Sequence, residues 1–282
     1  MILSFHPCIT ADHQIILGHR QPDSRDEPFI SRAEMIILPQ TCPEKLFTMC
    51  TESNASLFPD YRARFDYPGK TGQNILFKKF DLPHPATFLW NSVNHFLQAL
   101  NKGLPHEYPF LLKEDKSHES EGIHFIKEPD DIELSLKKIM KKSRFREMPF
   151  ISQEFIPAQG NTLRVVIMAD SGISYWKRGI PGHEIVSISN GAMVDKKWRP
   201  DLQEKGILMA ERLKEKTGIN LAAVDFIFNH HESDPEPVFL EINYYFGRTG
   251  LGGTINYYNL LFRTVTSWMD KNGFDSQKVN LV

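Results

Sequence analysis

The chain has 282 residues, with 33 Lys+Arg against 35 Asp+Glu and a formal net charge of -2, so bulk charge gives no reason to expect a nucleic-acid partner. No apolar run approaches the ~18 residues of a membrane span, and MILSFHPCIT lacks the basic region and long apolar stretch of a secretory leader, so neither a membrane partner nor export is expected. At 41% hydrophobic and 24% charged the composition is that of an ordinary globular protein, and the three cysteines, Cys8, Cys42 and Cys50, lack CxxC spacing, which fits a reducing cytoplasm better than a disulfide or zinc framework.

Met1 to about Gly69 reads as a small α/β region, with MILSF and AEMIILPQ strand-like and no chemical motif. GKTGQNILFKKF is helix-like, and Pro83 and Pro85 then force extended backbone before the strand ending TFLW. SVNHFLQALNKG predicts a helix ended by Gly103. YPFLLK predicts a strand ending in Lys113, followed by the polar stretch EDKSHESEG and a second strand, IHFIK. PDDIELSLKKIMKK has acids in its first turn and lysines in its last, which suits a helix dipole.

PFISQEFIPA then reads as a strand and connector, and NTLRVVIMADSGISYWKRG as a hairpin around Asp170-Ser171-Gly172. Asp201 to Lys216 carries a helical stripe, with Asp201 and Glu204 at capping-box spacing and Gly218 after the end.

Two apolar runs near the C-terminus are interrupted by polar residues. In INLAAVDFIFN the interruption is Asp225, and in VFLEINYYFG it is Glu241 and Asn243. On a strand, positions two apart share a face, so Phe239, Glu241 and Asn243 point one way and Val238, Leu240 and Ile242 the other. The intervening HHESDPE is turn-like, and a hairpin centred near Ser233 places Asp225 opposite Glu241. Facing carboxylates repel, and a hard divalent cation held by oxygen donors is the natural remedy. A register off by two would instead leave these residues on a rim with separate partners. Further upstream, Lys113, Glu154, Arg164 and Arg178 also interrupt strands, so cations come early and oxygen ligands late, as a triphosphate site requires.

That order resembles the ATP-grasp ligases, in particular their RimK-like glutamate ligase and glutathione synthetase branch, from about Gly69 to the C-terminus. The resemblance implies an α/β (α+β) fold in which two subdomains grip ATP. The expected division is a small N-terminal region over residues 1–69 and an ATP-grasp domain over 70–282, with a lid at about 104–152 and a metal-binding subdomain at about 153–282.

AAVDFIFN and PVFLEINYYFG look like the family's metal hairpin, which makes Asp225, Glu241 and Asn243 ligands of Mg2+, with Mn2+ an alternative. PFLLKEDKSHESEG resembles the strand and loop over the phosphates, making Lys113 the phosphate lysine, although the loop is more acidic than the family pattern. Lys70 stands near the spacing of a further nucleotide lysine.

SQEFIP resembles the adenine hinge, with Gln153, Phe155 and Ile156 along its backbone and Glu154 as a side-chain contact. TLRVVIM and YWKRG look like the strands bearing the catalytic arginines Arg164 and Arg178. Arg248, in the glycine-rich FGRTGLGGT, is expected to orient a substrate carboxylate or steady the transition state.

The implied activity is an ADP-forming carboxylate-amine ligation through an acyl phosphate. Its substrates would be small-molecule or peptide carboxylates and amines, and a homo-oligomer is compatible with it. A nucleotide-binding protein without ligase chemistry and a kinase of the same fold are the alternatives.

Overall fold

The computed structural model describes residues 1–115, 122–142, 149–180, 182 and 191–282. Residues 116–121 of the expected phosphate loop lie outside the described residues.

The N-terminal region contains β1 (Ile2–Ser4), β2 (Ile9–Thr10), β3 (His13–Gln14), α1 (Glu27–Ile30), β4 (Met35–Ile37), α2 (Glu44–Thr51), β5 (Ser56–Phe58) and α3 (Arg62–Asp66). A parallel sheet of order β3-β1-β4-β5 forms from these pieces. Every residue of β1 and β4 is buried, which is why ILS and MII are apolar or small throughout. One face, with Leu3 and Ile36, packs with Leu46 and Cys50 of α2. The other, with Ile2, Met35 and Ile37, joins the large core described below.

Next come α4 (Gly69–Lys79), β6 (Thr87–Trp90), α5 (Val93–Leu100), β7 (Phe110–Glu114), β8 (Ile123–Ile126), α6 (Pro129–Lys142) and β9 (Phe150–Glu154). The four strands form an antiparallel sheet of order β6-β9-β7-β8. Alternation divides its faces. Phe110, Leu112, Ile126 and Phe150 pack with Phe96 of α5 and with Ile132, Leu136 and Ile139 of α6. Register places Leu111, Lys113, Gln153 and Thr87 on the opposite side. Because β6 pairs with β9, this unit takes in residues from Thr87 onward, earlier than the expected start near residue 104.

The remainder contains β10 (Thr162–Met168), β11 (Ser171–Arg178), β12 (Met193–Asp195), α7 (Pro200–Thr217), β13 (Leu221–Ile227), β14 (Val238–Asn243), α8 (Thr254–Lys271) and β15 (Asn280–Leu281). Five strands make an antiparallel sheet of order β12-β11-β10-β13-β14, and β15 pairs with β2. Leu163, Val165, Val224 and Phe226 pack on α7 through Leu202, Ala210 and Leu213. Half of the opposite face, Val166, Met168, Leu221 and Ala223, packs on Tyr257, Leu261 and Val265 of α8 and on the first sheet. The spacing of those α8 residues is one helical stripe. Among the described residues, no helix is long and apolar enough to cross a membrane.

Two local expectations are corrected. Helix α7 begins at Pro200, where a missing N–H is harmless, and Asp201 pairs with Arg199 at 2.6 Å, so no capping box forms. Gly218 does close that helix, at φ 76°. In β14 a bulge between the pairs Asp225–Glu241 and Phe226–Phe239 breaks the two-residue alternation. Phe239 therefore joins Ile242 in the α7-side core and does not share a face with Glu241.

His6 follows β1 at 4% exposure, and its Nδ1 accepts from the Cys8 N–H at 3.2 Å. Burial, with the Arg248 charge second, pushes its imidazole from 6.5 down to about 4. The fold thus keeps His6 neutral where the unfolded chain takes a proton, so its stabilisation is lost as pH falls below about 6.5. Between pH 7 and pH 5 the stability advantage of wild type over His6→Gln is expected to shrink by about 2 kcal/mol in urea denaturation. A pH-independent difference would clear His6 of this role.

Candidate active site

Antiparallel register lines up Tyr175, Arg164, Asp225 and Glu241 across four adjacent strands, β11, β10, β13 and β14. Lys177 lies two residues beyond Tyr175 on the same face, and Asn243 two beyond Glu241. This polar row borders the apolar half of the face that carries Val166 and Ala223.

Asp225 is buried and holds the row together. Arg164 grips it with two donors, Nε to Oδ1 at 2.7 Å and Nη2 to Oδ2 at 2.8 Å, and Lys177 Nζ donates to Oδ2 at 2.8 Å. Burial works against a charged carboxylate, yet Arg164 and Lys177 outweigh it and hold Asp225 at about 2. Burial lowers the Lys177 ammonium, with Asp225 opposing. On Arg164, Asp225 more than offsets burial and raises the guanidinium.

Glu241 makes no hydrogen bond or ion pair with the described residues. It nevertheless favours the charged forms of Lys70, Lys113 and Lys177, which come from three different elements. Lys113 is buried on the face of the β6-β9-β7-β8 sheet opposite its helices, where its ammonium donates to Gln153 Oε1 and Gln153 Nε2 donates to Thr87 Oγ1 at 2.9 Å. Burial pushes Lys113 down to about 8, Glu241 opposes this, and Lys70 adds to it. Lys113 of β7 and Glu241 of β14 are thus within electrostatic reach of each other.

Helix α4 ties the two sheets. Gln73 pairs with the open edge of β14, donating to the Ile242 carbonyl at 2.8 Å and accepting from its N–H at 2.9 Å. Two residues earlier, the Thr71 N–H donates to Asp115 Oδ1 at 2.8 Å. Gly69, at φ +68°, leaves room for that carboxylate, since a Cβ there would lie 2.6 Å from both oxygens. The first acid after β7 is accordingly spent on the start of α4, the end of a helix that favours an anion.

The other expected residues fall as follows. The Gln153 backbone is committed to the sheet between β6 and β7, so it is not open for an adenine contact. Glu154 is exposed and accepts from the Ala86 N–H at 3.1 Å. Phe155 and Ile156 lie past the strand end, with the Phe155 ring against Phe125 of β8. Arg178 is corrected. It lies on the α7 side of the sheet, stacked 3.7 Å from the Trp198 ring centroid and bonded to Asn161 and Asp195. Lys177 takes the place expected for it.

Arg248 sits over the rings of Tyr257 and Tyr258, donates to the Tyr258 hydroxyl at 3.1 Å, and acts on His6. Its loop stays close to the row because Gly250 packs on Tyr175, where a Cβ would lie 2.1 Å from the ring.

Asp225, Glu241 and Asn243 form an all-oxygen donor set that fits a hard divalent cation. Among the described residues no three His, Cys, Asp or Glu side chains could hold an ion by themselves. An ion here would rely on Asn243 and on water or phosphate oxygens, and would share Asp225 with Arg164 and Lys177.

Three contributors escaped sequence reasoning. A turn centred on Ser171 would pair Arg164 with Arg178. The observed turn at Ala169 and Asp170 pairs it with Tyr175 and so selects Lys177. Gln73 and Asp115 act through tertiary contacts with no periodic signature.

No family model matches the chain, and no curated protein matches it in sequence. Solved structures do match in fold. A RimK domain ATP-grasp protein from Sphaerobacter thermophilus is 16% identical with a TM-score of 0.55, over 81% of this chain and 80% of that one. A D-alanine–D-alanine ligase from Bacillus anthracis is 9% identical with a TM-score of 0.60, over 93% and 89%. An N5-carboxyaminoimidazole synthetase from Staphylococcus aureus, solved with ADP, is 11% identical with a TM-score of 0.60, over 85% of this chain but only 61% of that one. The chain has the ATP-grasp fold.

Gly250→Ala is expected to destabilise the protein by ~1–3 kcal/mol, because the Tyr175 ring cannot yield freely in a packed core. Gly247→Ala is the control, having nothing within 4 Å of an added Cβ. Equal urea midpoints for the two variants would contradict the packing of this loop.

Proposed function

We propose that this chain is an ATP-dependent, ADP-forming carboxylate-amine ligase. The observation that supports this reading is the row of Arg164, Lys177, Asp225, Glu241 and Asn243 on one sheet, with Lys113 of the other sheet in electrostatic reach of Glu241. A fold built to grip a nucleotide and a cluster built from phosphate-binding cations and metal-binding oxygens coincide there.

In this reading ATP lies between the two sheets, with adenine near Phe155 and Ile156 and the phosphates toward Lys113 and Lys70. Lys113 is already stripped of water, so a phosphate oxygen replaces Gln153 as its partner at little desolvation cost. Arg164 and Lys177 hold Asp225 ionised. Magnesium or manganese held by Asp225, Glu241 and Asn243 would supply neutralisation of phosphate charge when bound.

A substrate carboxylate oxygen attacks the γ-phosphorus, the bond to the bridging oxygen breaks, and ADP leaves. An amine then attacks the acyl carbon, loses a proton and expels phosphate. Arg248 orients the carboxylate through two-point contact. The substrates are small-molecule or peptide carboxylates and amines, in the cytoplasm.

Hydroxylamine is expected to intercept the acyl phosphate as a hydroxamate during ATP turnover with a working carboxylate. ADP release without hydroxamate would favour phosphoryl transfer to a hydroxyl and sink the ligase reading. Glu241→Gln should lower turnover by ~2–4 kcal/mol of transition-state energy while leaving the thermal midpoint nearly unchanged. Wild-type ADP release from that variant would remove Glu241 from the site.

A further inference from the structure

Helix α4 has two working sides. Thr71 and Lys78 stand two turns apart along one side, while Gln73, about 200° round from Thr71, shares the other side with Leu76 and Phe77. The Gln73 side belongs to the sheet that ends in β14. Leu76 and Phe77 pack in the core that holds Phe239 and Ile242, and the Gln73 amide grips both the N–H and the carbonyl of Ile242. Ile242 separates Glu241 from Asn243, so this grip fixes the backbone between the two oxygen donors.

The Thr71 and Lys78 side meets the β6-β9-β7-β8 sheet through hydrogen bonds. At the amino end of α4 the buried Asp115 carboxylate accepts from the Thr71 N–H at 2.8 Å, and the Asp115 carbonyl accepts from the Lys70 N–H at 3.3 Å. The helix supplies no such cap itself, since its first turn carries no acid and Pro68 before it makes no side-chain cap bond. Asp115, 44 residues away in sequence, fills the end that favours an anion. At the carboxyl end, Lys78 Nζ donates to the Thr87 carbonyl at 3.0 Å. The Thr87 hydroxyl accepts from Gln153, whose amide oxygen accepts from Lys113.

Lys113 is thereby bracketed from both ends of one helix. Asp115, two residues along the chain, is pinned to the first turn, and the path through Gln153 and Thr87 is pinned to the last. The middle of the same helix is pinned beside Glu241 and Asn243. An 11-residue helix with a continuous hydrogen-bond ladder is stiff, so a shift at one anchor is felt at the others.

We propose that α4 is a spacer that sets Lys113 against Glu241 and Asn243, with Asp115, Lys78 and Gln73 as positioning residues that together fix the gap a nucleotide's phosphates must fill. None of the three needs to touch the nucleotide. The spacer rests on the ligase reading for the nucleotide it serves.

The test is calorimetric binding of ADP with Mg2+ to the full-length chain, with thermal midpoints measured alongside. Asp115→Ala and Gln73→Leu are each expected to weaken ADP about tenfold, and the double variant also about tenfold, because a spacer that has lost one anchor no longer fixes the gap for the other. The midpoint losses of the two single variants are expected to add in the double variant, as separate hydrogen bonds would. Asp115→Asn keeps an acceptor for the Thr71 N–H and is expected to bind within about twofold of wild type. Lys78→Met, at an exposed position, should weaken binding severalfold with little change in midpoint, and decides the matter where Asp115→Ala or Gln73→Leu fails to fold.

The spacer is overturned if these variants bind ADP like wild type, if the losses multiply to about a hundredfold in the double variant, or if the midpoint losses fall short of additivity in the same way as binding. ADP binding by wild type with multiplying losses would leave the ligase reading standing and remove only the spacer. No ADP binding by wild type would sink the ligase reading, and the spacer with it.

Discussion

One buried carboxylate organises the charged face of this protein. Asp225 would be prohibitive to bury alone, and it is tolerated because Arg164 and Lys177 converge on it from the two strands on one side. That convergence needs the turn after β10 to have its observed length and β13 to lie beside β10. It also leaves Glu241 on the far side of Asp225 as the one carboxylate of the pair not already claimed by a neighbour among the described residues. Charge satisfaction and strand order are therefore one constraint.

The same constraint explains why part of the site was readable in the sequence and part was not. Facing of Asp225 and Glu241 follows from counting outward from Ser233, a centre that already absorbs the extra residue of the bulge, which lies on the loop side of that pair between Phe239 and Glu241. Phe239 lies on the wrong side of the bulge, so its predicted face fails. Arg178 fails by the same arithmetic applied to a tighter turn. Lys113 was legible as a charge ending an apolar strand, and the fold through the family resemblance that the order of cations and oxygen ligands carries. Gln73 and Asp115 carry no local signal, because each acts through a partner distant in sequence.

Helix α4 links the lid-side segment after β7 to β14 by hydrogen bonds. Its first turn receives Asp115 from the end of β7, and its next turn fixes Ile242 on β14. Lys70 stands beside the first of these anchors, its N–H donating to the Asp115 carbonyl at 3.3 Å, so a single rigid element touches the end of β7 and the edge of β14.

The edge bonding by Gln73 has a further consequence, for association. A sheet edge with free N–H and C=O groups is a template for another chain. On β14 that template is occupied by the Gln73 amide at Ile242 and by the Pro83 carbonyl at the Phe239 N–H. The opposite edge, β12, has only three residues, too short to nucleate a ladder. The strand that carries Glu241 and Asn243 thus has part of its outer edge already bonded within the chain, which disfavours growth of the sheet by a second copy at those positions.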